Sequence, residues 1–269
     1  MMQRDNWGWR ARIGMFIVAS EAVPEAEWWA MTPAGVSVHA ARVEARAPWA
    51  TWRDSERGEV ELASDLARGA SHFASMRLNA IVTGHSSSSI LGGAGWDQAV
   101  TRALSAIAPD TQITTNGLDC VAALRASGVH APFVVFPPWF SEDLVAAGGE
   151  YFRAFDLAVE ATLRADPGRQ WRDLKPGEMY PNGLGFEQDV EYLYRQIRSA
   201  CPANADGVLI AGTGFRCVGI AQALEQDLSR PVITANQASL WHCLKLSGIE
   251  PNVHGYGRLL ASDKEHKHG

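Results

Sequence analysis

The 269-residue chain is short of three things: paired cysteines, long apolar runs and clustered positive charge. Its four cysteines, Cys120, Cys201, Cys217 and Cys243, make no CxxC pair and no zinc-type spacing with histidine. No metal site is expected, and each thiol reads as a buried small hydrophobe or a free thiol. No apolar run reaches the roughly 18 residues that span a bilayer. The segment Met1–Arg12 is polar and Trp-rich, without a signal-peptide core, so a cytoplasmic location is the expectation. Lys and Arg are scattered and the net charge is −6. That argues against nucleic acid and membrane as partners, and solubility is the plain reading of the charge. The tail Asp263–Gly269 carries His266 and His268, which suit a frayed terminus better than a metal site.

What is present is a large apolar fraction, 46% of the chain, enough for a sizeable core. Short apolar runs alternate with helical patterns. Ile13–Val18, Val36–Ala40, Asn79–Thr83 and Gln112–Thr115 read as strands. Pro24–Met31, Gly58–Met76 and Trp96–Ala108 read as helices between them. The pattern then restarts, with helices at Leu118–Ser127, Glu142–Phe152, Glu187–Ala200, Val218–Leu228 and Ala238–Leu246. Between these lie strands at Phe133–Phe136, Leu157–Ala161, Gly207–Ala211 and Val232–Thr234. Such alternation predicts an α/β fold with parallel-sheet cores and flanking helices. Asp166–Gly185, rich in Pro, Gly and charge, reads as a long loop, either a lid or an ordinary surface connection.

One long repeat stands out. Asn79-Ala-Ile-Val-Thr-Gly84-His85-Ser86 can be laid over Asp206-Gly-Val-Leu-Ile-Ala211-Gly212-Thr213. In each copy a polar residue precedes an apolar strand, and a polar or Gly-rich loop follows it. Two related halves facing one another would produce this pattern, as would chance likeness between two buried strands. Ligands of open α/β sheets bind beyond the carboxyl ends of strands, where both loops lie. Ser86, Ser87 and Ser88 on one side, and Gly212, Thr213 and Gly214 on the other, are therefore candidate substrate-binding residues. Their backbone N–H groups and hydroxyls suit a carboxylate or phosphate. A flexible serine linker is the other reading of the first loop.

Several tracts resemble a known family. Asp206–Arg216, Leu224–Leu228 and Arg230–His242, with its Asn236-Gln237…Leu240-Trp241, are similar to the C-terminal signature of the maleate isomerase and arylmalonate decarboxylase branch of the aspartate/glutamate racemase superfamily. Arg12-Ile-Gly-Met, Pro33–His39 and Ala41-Arg-Val43 resemble its N-terminal signature, and Ile113-Thr-Thr115 its link between halves. The resemblance implies two similar, pseudo-twofold related domains with the active site in the cleft between them. Their expected spans are 1–116 with 235–269, and 117–234. It also implies cofactor-free chemistry on a small-molecule carboxylate, hence an isomerase or lyase, and a homo-oligomer is expected.

The sequence departs from that family where its chemistry sits. The two cysteine positions fall on His85 and Gly212. The Ser-Asn-Thr loop after the first strand is Ser20-Glu21-Ala22, and the tyrosine after Thr-Pro is Trp139. An imidazole and a carboxylate thus enter the expected cleft. His85 and Glu21 are the candidate catalytic residues, with His85 as general acid or base, or else filling a vacated pocket. Glu21 is a candidate to orient it, to hold it as an imidazolium, or to act as a base itself. Trp139 is a candidate substrate contact. Arg42 and Arg216 suit either substrate carboxylates or structural ion pairs. Trp28 and Trp29 suit a pocket cap or a subunit contact, and Trp49 and Trp52 a cleft wall. Three functions follow. One is a cofactor-independent lyase or isomerase using acid/base chemistry, with hydration or hydrolysis of an activated ring also open. The second is a non-catalytic small-acid binding protein. The third is a racemase or decarboxylase that uses Cys217.

Overall fold

The computed structural model describes residues 5–44 and 46–261; the tail histidines His266 and His268 lie outside them. The first half runs β1 (Ala11–Val18), α1 (Val23–Met31), β2 (Val36–Val43), β3 (Ala50–Asp54), β4 (Glu59–Leu62), α2 (Ser64–Ser75), β5 (Ala80–Thr83), α3 (Ser86–Gly92), α4 (Trp96–Ile107) and β6 (Gln112–Thr115). The second runs α5 (Asn116–Ala126), β7 (Pro132–Phe136), α6 (Glu142–Arg153), β8 (Ala161–Arg164), α7 (Pro176–Met179), α8 (Leu184–Glu187), α9 (Val190–Ala200), β9 (Gly207–Ile210), α10 (Val218–Leu228), β10 (Val232–Thr234) and α11 (Ala235–Leu246).

Strands β5, β7 and β9 are buried at every residue. A run without alternation fits a parallel sheet covered on both faces. Two such sheets form, ordered β2-β1-β5-β6 and β10-β9-β7-β8. Numbered within its own half, each sheet has the order second, first, third, fourth, and every pairing in it is parallel. The repeated tracts therefore fall on equivalent third strands, β5 and β9. Their leading polar residues also do equivalent work. Asn79 accepts a bond from the Arg12 N–H at 2.9 Å, and Asp206 accepts from the His130 and Ala131 N–H groups at 2.8 Å each, tying each third strand to the start of its first.

Thr115 and Thr234 end the fourth strands and cap the helices that follow, accepting from Leu118 N and Gln237 N. Helices α5 and α11 then pack on each other. Cys120, Val121 and Leu124 of α5 join the core of the second sheet, with Val134, Phe136 and Leu209. Leu240, Cys243 and Leu244 of α11 join the core of the first, with Ile13, Met15 and Val82. The opposite sheet faces are covered by α2 and α4 in one half and by α9 and α10 in the other.

Two local expectations are corrected. Residues 59–62 are a strand of an antiparallel hairpin, not the first turn of a helix from Gly58. Val60 and Leu62 alternate with Glu59 and Glu61, a period of two that the neighbouring helical pattern obscured. The expected strand Leu157–Ala161 lies later, at Ala161–Arg164, where it pairs with Phe133–Phe136. Among the described residues no helix is long and apolar enough to cross a membrane.

Candidate active site

A cleft of about 310 Å³ opens between the carboxyl ends of the two sheets. Glu21 follows β1, His85 follows β5, Gly212 follows β9 and Trp139 follows β7; all four line it, as do Ser86, Ser87, Thr213 and Gly214. The segment expected as a long loop holds a 3-10 turn at Arg169–Trp171 and the short helices α7 and α8. It brings Pro176, Tyr180 and Pro181 onto the cleft wall. Trp171, Met179 and Leu184 are buried beneath it with Trp139 packed against them. The Tyr180 ring meets Trp139 edge-on at 5.0 Å between centroids.

The two candidate catalytic groups do not pair. Among the described residues Ser88 Oγ, at 2.9 Å, is the only side-chain hydrogen-bond partner of the His85 ring. Burial alone moves both groups, and in opposite directions. It pushes the Glu21 carboxyl up to about 8 and the His85 imidazole down to about 3. Each therefore favours its neutral form near pH 7. The expected imidazolium held by Glu21 is not what forms. The His85 ring keeps some accessible surface through the cleft, but its face rests on the buried Trp49 at 4.4 Å.

Glu21 is the most unusual group in the site. Its side chain is buried, and among the described residues Oε2 has no hydrogen-bond partner. Tyr180 is the second unusual group: its hydroxyl is also buried without a partner among the described residues. Burial and the nearby Glu21 both push the phenol up, so it stays protonated. The two meet over Gly214, where an added Cβ would lie 2.5 Å from Glu21 Oε1 and 3.1 Å from Tyr180 Cε2. A side chain at this position would push the Glu21 carboxyl from where it stands. A buried polar atom without a partner is costly, and two facing one small cleft mark a place where a ligand supplies the missing bonds. Sequence reasoning missed Tyr180 because it sits in a Pro/Gly-rich segment far along the chain from every strand-end motif.

The serine and threonine hydroxyls are less available than expected. Ser86 Oγ donates to Asn116 Oδ1 at 2.6 Å, and Thr213 Oγ1 donates across the cleft to Gly84 O at 2.9 Å. Their hydrogens are committed, so these hydroxyls face the cleft only as acceptors. Ser88 does not line the cleft; it is buried beneath His85. Of the three serines, Ser87 alone keeps a hydroxyl with no partner among the described residues. Backbone donors remain. Among the described residues the N–H groups of Ser86, Ser87, Thr213 and Gly214 have no backbone acceptor.

Other candidates fall on structural duties. Arg42 pairs with Glu25 and donates to Glu21 O at 2.8 Å, holding the loop that carries Glu21. Arg216 is exposed and donates to Phe186 O at 3.4 Å. Cys217 is buried at the start of α10 and is not on the cleft wall. Burial pushes its thiol well above the usual range, which removes the thiolate that Cys217 chemistry needs. Trp28 is core and Trp29 is exposed. Trp49 lies under His85, and Trp52 donates to Gly92 O, so neither lines the cleft. Asn236 donates to Thr213 O at 2.9 Å and to Glu27 at 2.6 Å, fixing the loop after β9.

The backbone at Gly212 is as informative as any side chain. Its φ is +97°, and an added Cβ would lie 2.4 Å from Pro137 Cγ. Restoring a thiol by Gly212→Cys is therefore expected to destabilise the fold by at least about 1–2 kcal/mol from backbone strain alone. Thermal unfolding would show this, and an unchanged melting temperature would contradict the geometry.

The comparisons agree with this architecture. A sequence profile described as arylmalonate decarboxylase matches residues 186–260. No curated protein matches the chain. The maleate isomerase Iso from Pseudomonas putida superposes with a TM-score of 0.77 at 19% identity, covering 94% of this chain and 98% of that one. A maleate cis-trans isomerase variant from Nocardia farcinica, carrying a covalently bound succinylcysteine intermediate, gives 0.73 at 18%, covering 94% and 99%. Unliganded arylmalonate decarboxylase gives 0.70 at 18%, covering 93% and 98%. The resemblance read from the sequence is thus met, and at these identities what is shared is the fold.

Proposed function

We propose that this protein is a cofactor-independent enzyme acting on a small carboxylate, and that it is a lyase releasing carbon dioxide with Glu21 as the general acid. The observation that carries this reading is the buried, unpartnered Glu21 carboxyl, raised to about 8, facing the cleft beside the unpartnered Tyr180 hydroxyl. The likeness to an arylmalonate decarboxylase profile over residues 186–260 supports the reaction class.

The choice among reactions rests on protonation. Racemisation or isomerisation by proton transfer needs a base as well as an acid. A buried imidazole pushed down to about 3 is a poor base. The addition chemistry of a succinylcysteine needs a thiol, and no residue lining this cleft is a cysteine. Decarboxylation makes its own carbanion. The bonding pair of the departing carboxylate passes to the adjacent carbon and onto a neighbouring carbonyl or carboxyl oxygen. That oxygen is stabilised by the Tyr180 hydroxyl and the cleft N–H groups. Glu21 gives its proton to the carbon, carbon dioxide leaves, and solvent reprotonates Glu21. The wall formed by Leu91, Trp139, Phe140 and Leu144 excludes water and suits a substrate with an apolar face.

The test is release of carbon dioxide from a panel of small malonates and β-keto acids, with ligand-induced thermal shift measured on the same panel. Carbon dioxide release from at least one member is expected. Thermal shifts without turnover across the panel would overturn the enzyme reading in favour of a binding protein, and isomerisation without carbon dioxide release would overturn the lyase assignment.

A further inference from the structure

His85 lines the cleft, and what it presents there depends on which ring nitrogen holds the proton. We infer that the buried hydroxyl of Ser88 fixes that choice, so that His85 meets the substrate with an Nε2–H donor and not with a basic nitrogen. This deepens the reading of the cleft as a set of neutral donors and rests on it for its functional meaning.

The argument counts hydrogens. Ser88 Oγ has two partners, the Trp49 backbone N–H at 2.9 Å and His85 Nδ1 at 2.9 Å. A backbone N–H can only donate, so one lone pair of Oγ is already taken. The hydroxyl hydrogen must then find an acceptor, and among the described residues Nδ1 is the only one it reaches. If Nδ1 carried the proton instead, it would donate to Oγ, and the hydroxyl hydrogen would be left buried with nothing to accept it. Ser88 is 1% exposed, so water does not replace the missing acceptor. The bond from Ser88 to an unprotonated Nδ1 places the ring proton on Nε2.

The position of the ring makes this matter. Nε2 has no partner among the described residues and is not among their buried unpartnered atoms, so it opens to the cleft that His85 lines. Trp49 contributes twice, holding Oγ through its N–H and supporting the ring face with its indole. The Trp49 indole N–H is itself anchored to Glu44 O at 3.1 Å. Ser88 is thus a positioning residue that acts through His85. Read this way, the run of serines after β5 divides its work: Ser86 and Ser87 face the cleft, while Ser88 faces the histidine. The substrate oxygen on which negative charge develops would then meet Nε2–H and the Tyr180 hydroxyl, two uncharged donors that differ from the sulfur chemistry of the family's cysteine positions.

Nitrogen-15 spectra of histidine-labelled protein test this, with His85 assigned by the signals lost in His85→Gln. The expected result is a single tautomer, with an unprotonated Nδ1 and a protonated Nε2. In Ser88→Ala the pure pattern is expected to give way to a mixture of tautomers. A protonated Nδ1 or an averaged pair in the unsubstituted protein would overturn the assignment, and that measurement needs no variant other than the one used for assignment. An unaltered pattern in Ser88→Ala would overturn the role of Ser88. The spectra are recorded without substrate, so a failure of the lyase reading leaves this result standing, and the reverse also holds.

Discussion

Glu21→Gln is expected to lower turnover by about a hundred- to ten-thousand-fold, the usual contribution of a positioned general acid. The amide keeps the size of the side chain and can still donate a hydrogen bond, so ligand binding is expected to survive. It cannot give up a proton to carbon. The pH profiles separate this from a structural effect. The working form of Glu21 is the protonated one, raised by burial to about 8. Activity should therefore hold below that value and fall as pH rises through it, and the residual activity of the variant should lack that limb. Stability has its own signature. Below the ordinary value of 4.5 both folded and unfolded chains carry the proton at this position, and no difference arises. Between 4.5 and about 8 the unfolded chain has released it while the folded chain retains it. Stability of the parent therefore falls with rising pH across that window, by a few kcal/mol at most, roughly 1.4 kcal/mol per pH unit at the steepest. Glu21→Gln should gain on the parent over the same window in denaturant titrations. A variant with full turnover and an unchanged pH profile would remove Glu21 from the mechanism.

The largest effect on folding is expected at Glu27, a buried carboxylate that sequence reading passed over. It sits on α1 and reaches the start of α10 in the other half. Oε1 accepts from the Cys217 and Val218 N–H groups at 2.7 and 3.0 Å, and Oε2 accepts from Asn236 Nδ2 at 2.6 Å. It thus supplies an end cap that α10 lacks locally, since the side chain of Cys217 makes no cap bond. Burial pushes the carboxyl up, and Asn236, the two N–H groups and Arg216 pull it back. Glu27→Ala strips the partner from three buried donors at once. The expected loss is about 3–5 kcal/mol, seen as a fall of roughly 10 °C in melting temperature. Because Asn236 also holds Thr213 O, the cleft loop should loosen with it, weakening ligand binding. A melting temperature within a degree or two of the parent would show that water or a rearranged side chain takes over the cap.

These two glutamates show how legibility divides. Glu21 was visible because Ser20-Glu21-Ala22 stands where the resembled family carries its Ser-Asn-Thr loop after the first strand. Glu27 lies one turn into a helix, among Trp28 and Trp29, and nothing local distinguishes it from a solvent-facing residue. Its partners are about 190 and 209 positions away. Tyr180 was hidden for a similar reason, since turn-forming residues announce a loop but not what the loop covers. The hairpin at residues 50–62 was lost because a short period-two pattern adjoined a longer helical one. The serine and threonine hydroxyls were counted as donors because each could donate. Whether it does depends on acceptors such as Asn116 Oδ1 and Gly84 O, supplied by distant segments.

By itself the sequence determined the alternation of buried strands and amphipathic helices, the internal repeat, and the strand-end positions where His85 and Gly212 stand. Those are matters of periodicity and spacing, which act over a few residues and survive in a linear string. Only the tertiary structure decided the chemistry of the cleft. It held Glu21 and His85 apart, favoured the neutral form of each, laid Tyr180 beside Glu21, turned the Ser88 hydroxyl toward His85, and committed the hydroxyl hydrogens of Ser86 and Thr213 to Asn116 Oδ1 and Gly84 O. Protonation and hydrogen-bond direction depend on desolvation and on which distant atoms come within about 3 Å, and folding alone brings those atoms together.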